Sequence, residues 1–273
     1  MGPDRPFITL HKDTYVVETS AKGSNVSGAK MSLENDSQGV EYLERYFGID
    51  FREVARGLCY LTSSVATTKQ HQYAPHVYES NNWGSRRVGW MYDEGVALAL
   101  AGKYFEGLAR FDEVLRLEPA YVHGWNQKGL CYYFLRRYPN AGKCFDKASA
   151  LNSFYLESRN NKGCTLQRLD AFSEAIECFD QVESILAGLF EPSNNKAISL
   201  MALGDFTAAL TFLDRCVSTG VIKGSFYILR SLCHLALDQI NEGFFDLEIA
   251  LKFDPQNKHA LRLREVFSRA ATA

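Results

Sequence analysis

The sequence predicts an all-α fold: a solenoid of five tandem 34-residue helix–turn–helix repeats, closed by a C-terminal capping helix and preceded by a mixed, mostly helical N-terminal segment. Three residue series carry this reading. Gly95, Gly129 and Gly163 stand 34 apart, and Ala197 and Ser231 continue the series. Phe111, Phe145 and Phe179 do the same, followed by Leu213 and Leu247, and so do Gly107, Ala141, Ala175, Ala209 and Gly243. A fixed period of this length, without insertion, marks hairpins that stack because none can bury its apolar face alone. Such an array presents a curved surface suited to holding another macromolecule.

In chain order, residues 1–87 show no repeat. The stretch 6–19 is strand-like, with Phe7, Ile8 and Leu10 followed by Tyr15, Val16 and Val17. Residues 20–32 are rich in Ser, Gly, Ala and Lys and read as a loop. A helix is expected over 32–47, with Leu33, Val40, Leu43 and Phe47 on one face and Gly48 stopping it. Asp50 is suited to cap a second helix reaching about residue 64, which buries Val54, Leu58 and Leu61. Residues 67–87 read as a connector. The helical pair is expected to lie across repeat one as a cap, or else to bind a partner or occupy the groove.

The repeats span 88–121, 122–155, 156–189, 190–223 and 224–257, and places are numbered from the start of each. Each holds a first helix, a turn near place fifteen ending in a large apolar residue, and a second helix. The small residue at place eight lets two helices approach, and the Phe or Leu at place twenty-four is expected to fill the gap between neighbouring hairpins. Pro119 and Pro255 end the second helices of repeats one and five, since proline cannot continue a helix. Ser153, Ala187 and Val221 stand in its place elsewhere, so those helices are expected to run longer. A terminal helix over 258–269, within a capping segment 258–273, should turn Ala260, Leu261, Leu263 and Val266 toward repeat five and Lys258, Arg262, Arg264 and Arg269 outward.

The composition narrows the function classes. With 30 basic and 32 acidic residues the net charge is -2, which gives no electrostatic case for nucleic acid or an anionic membrane. The seven cysteines show no CxxC spacing, and six lie on repeat helices, so they read as reduced packing residues. No apolar run is long enough for membrane insertion. Asp4, His11, Lys12 and Asp13 interrupt any signal-peptide pattern, so a cytoplasmic location is expected and the acceptor patterns at Asn25 and Asn35 are coincidental. Histidines and cysteines lack metal-ligand spacing, and no cofactor is expected. The run from Gly23 through Gly28 to Lys30 is one residue away from a phosphate-binding loop, but Ala29 breaks the spacing and no βαβ core surrounds it. Glu18 to Lys22 matches a guanine-recognition loop without its companion motifs. Cys59 with His71 or His76 has no flanking catalytic signature, so a packed thiol is expected.

Repeat two carries a large residue, Gly, aromatic, Ala, aromatic, Ala pattern in Trp125, Gly129, Tyr132, Ala141, Phe145 and Ala148. Repeat three carries Asn161, Gly163, Ala175 and Phe179 in the same register, and repeats four and five diverge but keep it. Here the chain resembles the tetratricopeptide repeat family, over about two thirds of its length. The resemblance implies a right-handed superhelix of antiparallel helix pairs, and a concave groove lined by the first helices at places two, five, six and nine.

Carried over by register, repeat one offers Gly89, Tyr92, Asp93 and Val96, and repeat two offers His123, Asn126, Gln127 and Leu130. Repeat three offers Glu157, Asn160, Asn161 and Cys164, repeat four Glu191, Asn194, Asn195 and Ile198, and repeat five Ser225, Ile228, Leu229 and Leu232. The amides at places five and six in repeats two to four can hold a peptide backbone, or stand as solvated decoration. Repeat five turns apolar and suits an amphipathic or extended segment. Some members of the family clamp acidic C-termini with Lys, Arg and Asn. These places hold no Lys or Arg but do hold Asp93, Glu157 and Glu191, so a neutral or basic protein or peptide segment is expected instead. Lys128, Lys162 and Lys196 recur at place seven, where packed stems are expected. Replacing Asn161 and Asn195 by Ala is expected to weaken capture and leave melting nearly unchanged.

The leading function is therefore a non-catalytic interaction scaffold or adaptor. The alternatives are a stable subunit or assembly factor working through its convex face, which exposed apolar residues on the outer helices would favour, and an enzyme with its chemistry in residues 1–87.

Overall fold

The computed structural model describes residues 6–11, 14–19, 29–31, 38–59, 61, 83–186, 194–218 and 224–271. Glu191, Leu33, most of the expected loop at 20–32, the connector up to residue 82, Gly23, Gly28, His71, His76 and both Asn25 and Asn35 lie outside them. In chain order the elements are β1 (Pro6–His11), β2 (Thr14–Thr19), β3 (Ala29–Met31), α1 (Gln38–Phe47), α2 (Phe51–Leu58), α3 (Trp83–Leu100), α4 (Tyr104–Leu117), α5 (Val122–Phe134), α6 (Tyr138–Leu151), α7 (Leu156–Gln167), α8 (Phe172–Leu186), α9 (Asn194–Ala202), α10 (Phe206–Ser218), α11 (Gly224–Ala236), α12 (Ile240–Phe253) and α13 (Lys258–Ala271). The fold is an α-solenoid of helix–turn–helix repeats. The chain forms two compact units, Leu61–Phe190 and Met1–Tyr60 with Glu191–Ala273.

The unit Leu61–Phe190 holds repeats one to three as the hairpins α3–α4, α5–α6 and α7–α8. Helix α4 packs on α5 and α6 on α7, and the first helices α3, α5 and α7 also touch in sequence. Gly129 explains the close approach within a hairpin. A Cβ built there would stand 2.5 Å from Phe145 Cε1, and Gly163 meets Phe179 in the same way. The place-twenty-four aromatic therefore closes over the glycine of its own hairpin, where the sequence suggested the gap between hairpins. Between hairpins the seam includes Cys131, which joins Val96, Leu108 and Phe111 in one core.

Place fifteen is left-handed in every repeat of both units: Gly102, Arg136, Asp170, Gly204 and Asp238 have φ of 76°, 58°, 58°, 87° and 58°. Each ends the first helix in paired returns, as in repeat two, where Arg136 N donates to Tyr133 O and Arg137 N to Tyr132 O. Aspartates at place twenty-five tie neighbouring repeats: Asp112 meets Lys128 at 2.5 Å, Asp146 meets Lys162 at 2.7 Å and Asp214 meets Arg230 at 3.3 Å. The place-seven cations thus join adjacent hairpins. Burial pulls the Lys128 ammonium down, but its hydrogen bond and attraction to Asp112 outweigh this and hold it above its ordinary range. For Lys162 the hydrogen bond to Asp146 is itself the largest influence, and the net shift is again upward.

The other unit holds the antiparallel sheet β1-β2-β3, the helices α1 and α2, the hairpins α9–α10 and α11–α12, and α13. In the sheet Phe7 pairs with Glu18 and Val16 with Lys30, so β3 falls inside the stretch expected as loop. Asp50 caps α2 by accepting from Glu53 N at 2.8 Å, as its sequence position suggests. Helix α2 ends at Leu58, short of residue 64, and buries Val54 while Leu58 and Leu61 stay half-buried. Helix α3 begins at Trp83, inside the expected connector. Helix α6 gains no length from Ser153: it stops at Leu151, the register at which α4 and α12 stop, because Asn152 turns extended and its side chain accepts from Phe154 N at 2.9 Å. In α13, Ala260, Leu263 and Phe267 are buried, and Phe267, which the sequence reading passed over, lies against Gly243.

Candidate functional site

Within Leu61–Phe190 the first helices bring most of the expected groove residues of repeats one to three into one row. Helices α5 and α7 each place two amides side by side, at Asn126 and Gln127 and at Asn160 and Asn161. All four are buried, and Asn161 Nδ2 donates to Asn126 Oδ1 at 3.1 Å, linking place six of one repeat to place five of the one before. Asn126 Nδ2 has no hydrogen-bond partner although it is buried. Asn160 Nδ2 approaches Cys164 Sγ at 3.9 Å. The amides thus form an inner layer that fixes the spacing of α5 and α7.

Above it, Tyr92, His123 and Glu157 are half-buried and Asp93 is exposed. They join a strip that the sequence reading missed in part, since Tyr121 and Tyr155 stand at place thirty-four. Tyr92 meets Tyr121 edge-on at 5.3 Å, Tyr121 meets His123 at 6.0 Å, and His123 meets Tyr155 at 5.0 Å. The Tyr155 hydroxyl donates to Glu157 Oε2 at 2.8 Å. Its oxygen is then left to accept from His123 Nδ1 at 3.2 Å, which fixes the proton on that nitrogen. The 34-residue spacing of Tyr121 and Tyr155 was the available signal. Aromatic faces beside Asp93 and Glu157 favour cationic or apolar side chains over carboxylates.

In the second unit, Asn194, Asn195, Ile228 and Leu229 are buried. Asn194 Nδ2 donates to Leu58 O at 3.1 Å, and Asn194 Oδ1 accepts from Ser225 Oγ at 3.3 Å. Asn194, at place five of repeat four, therefore faces α2. Extending the period from 224 to 258 puts His259 and Arg262 at places two and five of α13. Arg262 pairs with Glu53 at 3.3 Å, and Gly57 lies so close to the His259 ring that a Cβ would stand 2.6 Å from Nε2. Helix α1 packs beside them, with Gly39 against the backbone at Met201 and Gly204, and Tyr42 5.9 Å from the Phe206 ring. The helical pair thus lies on repeat four and the capping helix. No local periodicity encodes so distant a partner.

Burial pushes the Cys131 thiol up to about 12 and the Cys144 thiol to about 11, and raises Cys233 as well, which keeps these sulfurs protonated and unreactive. None of the seven cysteines is joined in a disulfide. Among the described residues no His, Cys, Asp and Glu group is arranged to hold a metal ion. Among them, too, no helix is long and apolar enough to cross a membrane.

The tetratricopeptide repeat model matches residues 122–155, the whole of repeat two. No curated protein sequence matches the chain. Among solved structures, a thermophilic tetratricopeptide repeat protein of Thermus thermophilus is similar over 68% of this chain and 100% of its own, with 16% identity and a TM-score of 0.53. YrrB, described as a tetratricopeptide repeat protein with an unusual peptide-binding site, is similar over 67% of this chain and 98% of its own at 14% identity and a TM-score of 0.54. PilW, a type IV pilus biogenesis factor, is similar over 70% and 88% at 17% identity and a TM-score of 0.61. At these identities the likeness is one of fold. Residues 122–155 are thus matched as a tetratricopeptide repeat, and all five repeats share the same left-handed place fifteen.

Proposed function

We propose that this protein is a non-catalytic interaction scaffold or adaptor that holds a neutral or basic peptide segment of a partner protein along the first helices of repeats one to three. The observation that carries this reading is the strip of Tyr92, Tyr121, His123 and Tyr155 bordered by Asp93 and Glu157, with no Lys or Arg at the groove places. The exposed Asp93 and the half-buried Glu157, beside aromatic faces, attract Lys and Arg side chains and repel an acidic terminus. Asn126 and Asn161 act from beneath by fixing the spacing of α5 and α7. The peptide-binding site named for YrrB supports peptide capture as a use of this fold. The reading places the protein in the cytoplasm and gives it no role in binding nucleic acid.

The test is to pan a random-peptide display library against the wild type and an Asp93→Lys, Glu157→Lys variant. Enrichment of neutral or basic peptides by the wild type, moving toward acidic ones in the variant, is expected. Identical selection by both proteins, or none by either, would overturn the reading. One observation favours the fixed-subunit alternative: on α12, Phe245 is 65% exposed and Phe253 52% exposed, which is apolar surface suited to a permanent neighbour. A partner that co-purifies and is lost with Phe245→Ser but kept with Asp93→Lys would establish it.

A further inference from the structure

The unit Met1–Tyr60 with Glu191–Ala273 contains a ligand of its own groove. The helices α9, α11 and α13 lie side by side, with α11 touching both others. Helix α2 reaches the outer two: its Leu58 carbonyl accepts from Asn194 on α9, and its Glu53 meets Arg262 on α13. It therefore bridges α9 and α13, the two helices that flank α11. Asn194, His259 and Arg262, which it meets on α9 and α13, stand at places two or five, the register of the binding face. An amphipathic helix laid into a groove uses one apolar face and a few placed polar groups. Val54 and Phe51 on α2 are buried, while Glu53 points to the exposed rim.

We propose that the concave face of repeats four and five is a helix-binding groove whose resident occupant, α1–α2, is displaceable. A partner's amphipathic helix, with an apolar face and a carboxylate opposite Arg262, then binds by taking its place. Three features make the occupant releasable. Helices of 10 and 8 residues are marginal on their own. The Glu53–Arg262 pair is solvent-exposed and screened. Gly57 keeps α2 near His259 without an interlocking side chain. This rests on the reading that first-helix faces bind partners, but its site lies in the other unit, so the two fail separately.

The probe is a fluorescein-labelled peptide with the sequence of residues 38–59. Amide exchange on the full-length wild type should show α1–α2 opening faster than α11. Exchange as slow as that of α11 would mean release only on global unfolding and would overturn the proposal. A Tyr42→Ala, Phe51→Ala chain keeps the groove residues and weakens only the occupant. It should bind the peptide about ten-fold or more tighter than wild type, because an occupied groove lowers the competent fraction. Equal binding, with α1–α2 shown released by exchange, would overturn the proposal. Should that chain not fold, the surface change Glu53→Arg serves alone: it should speed α1–α2 exchange severalfold, and Arg262→Glu should reverse it. No acceleration, or no reversal, would likewise overturn the proposal.

Discussion

Gly129 lies against the ring of Phe145, with no room for a Cβ between them. The same contact joins Gly163 to Phe179, while repeats four and five place Ala197 with Leu213 and Ser231 with Leu247. Within one chain the two positions trade volume. Gly129→Ala should destabilise the protein by about 1–3 kcal/mol despite alanine's better helix propensity, because Phe145 is fully buried and cannot yield. Adding Phe145→Leu should recover part of the loss. Gly142 on α6 has no atom within 4 Å of a built Cβ, so Gly142→Ala should stabilise by about 0.5–1 kcal/mol. Urea unfolding of the four proteins checks the set, and a stabilised Gly129→Ala chain would sink it.

Arg136 occupies a left-handed conformation that Gly102 and Gly204 fill in repeats one and four. A side chain there costs roughly 1–2 kcal/mol, partly offset by the freedom glycine adds to the unfolded chain. Arg136→Gly should therefore raise the melting temperature. Asp238→Gly should raise it less, since Asp tolerates this region better. Calorimetry separates them, and equal or opposite shifts would contradict the strain assigned to Arg136.

Much of this architecture was legible because it repeats. The small residue at place eight, the turn near place fifteen and the Phe or Leu at place twenty-four recur at one period, so each supports the register of the others. The left-handed backbone at Arg136 was hidden, because arginine gives no local sign of it. The docking of α1–α2 was hidden for a different reason: Asn194 meets Leu58 across 136 residues of sequence, beyond any local pattern. The amides were legible as a row, but not as an inner layer, since periodicity places a residue on a helix face without saying how deeply a neighbouring helix covers it.

That burial alters the expected effect of removing Asn161. Asn161→Ala would take away the donor that Asn126 Oδ1 uses, in a site where Asn126 Nδ2 already lacks a partner. The cost should be roughly 1–3 kcal/mol, where the sequence alone suggested almost none. Asn126→Leu removes both orphaned groups at once, so the double variant should lose less than the sum of the single losses. Strict additivity in a double-mutant cycle would mean the hydrogen bond contributes nothing.

Asp246 gives the second unit a pH response. Its carboxylate is buried on α12, with Oδ2 3.2 Å from Arg230 Nε and 3.5 Å from His234 Nε2. Burial raises its pKa from 3.8 to about 6 against the lowering pull of Arg230 and His234, with Asp214 adding a smaller upward push. The folded value lies above the unfolded one, so the folded chain holds the proton more tightly. This contribution to stability is fully present below the unfolded value, and is lost as pH rises through about 6. Asp246→Asn keeps the shape and cannot titrate. The stability of wild type relative to this variant should therefore grow as pH falls from 7 to about 4. Urea unfolding at a series of pH values measures that difference directly. If it stays level across the window, burial does not hold the proton on Asp246, and the carboxylate is ionised through its pairing with Arg230.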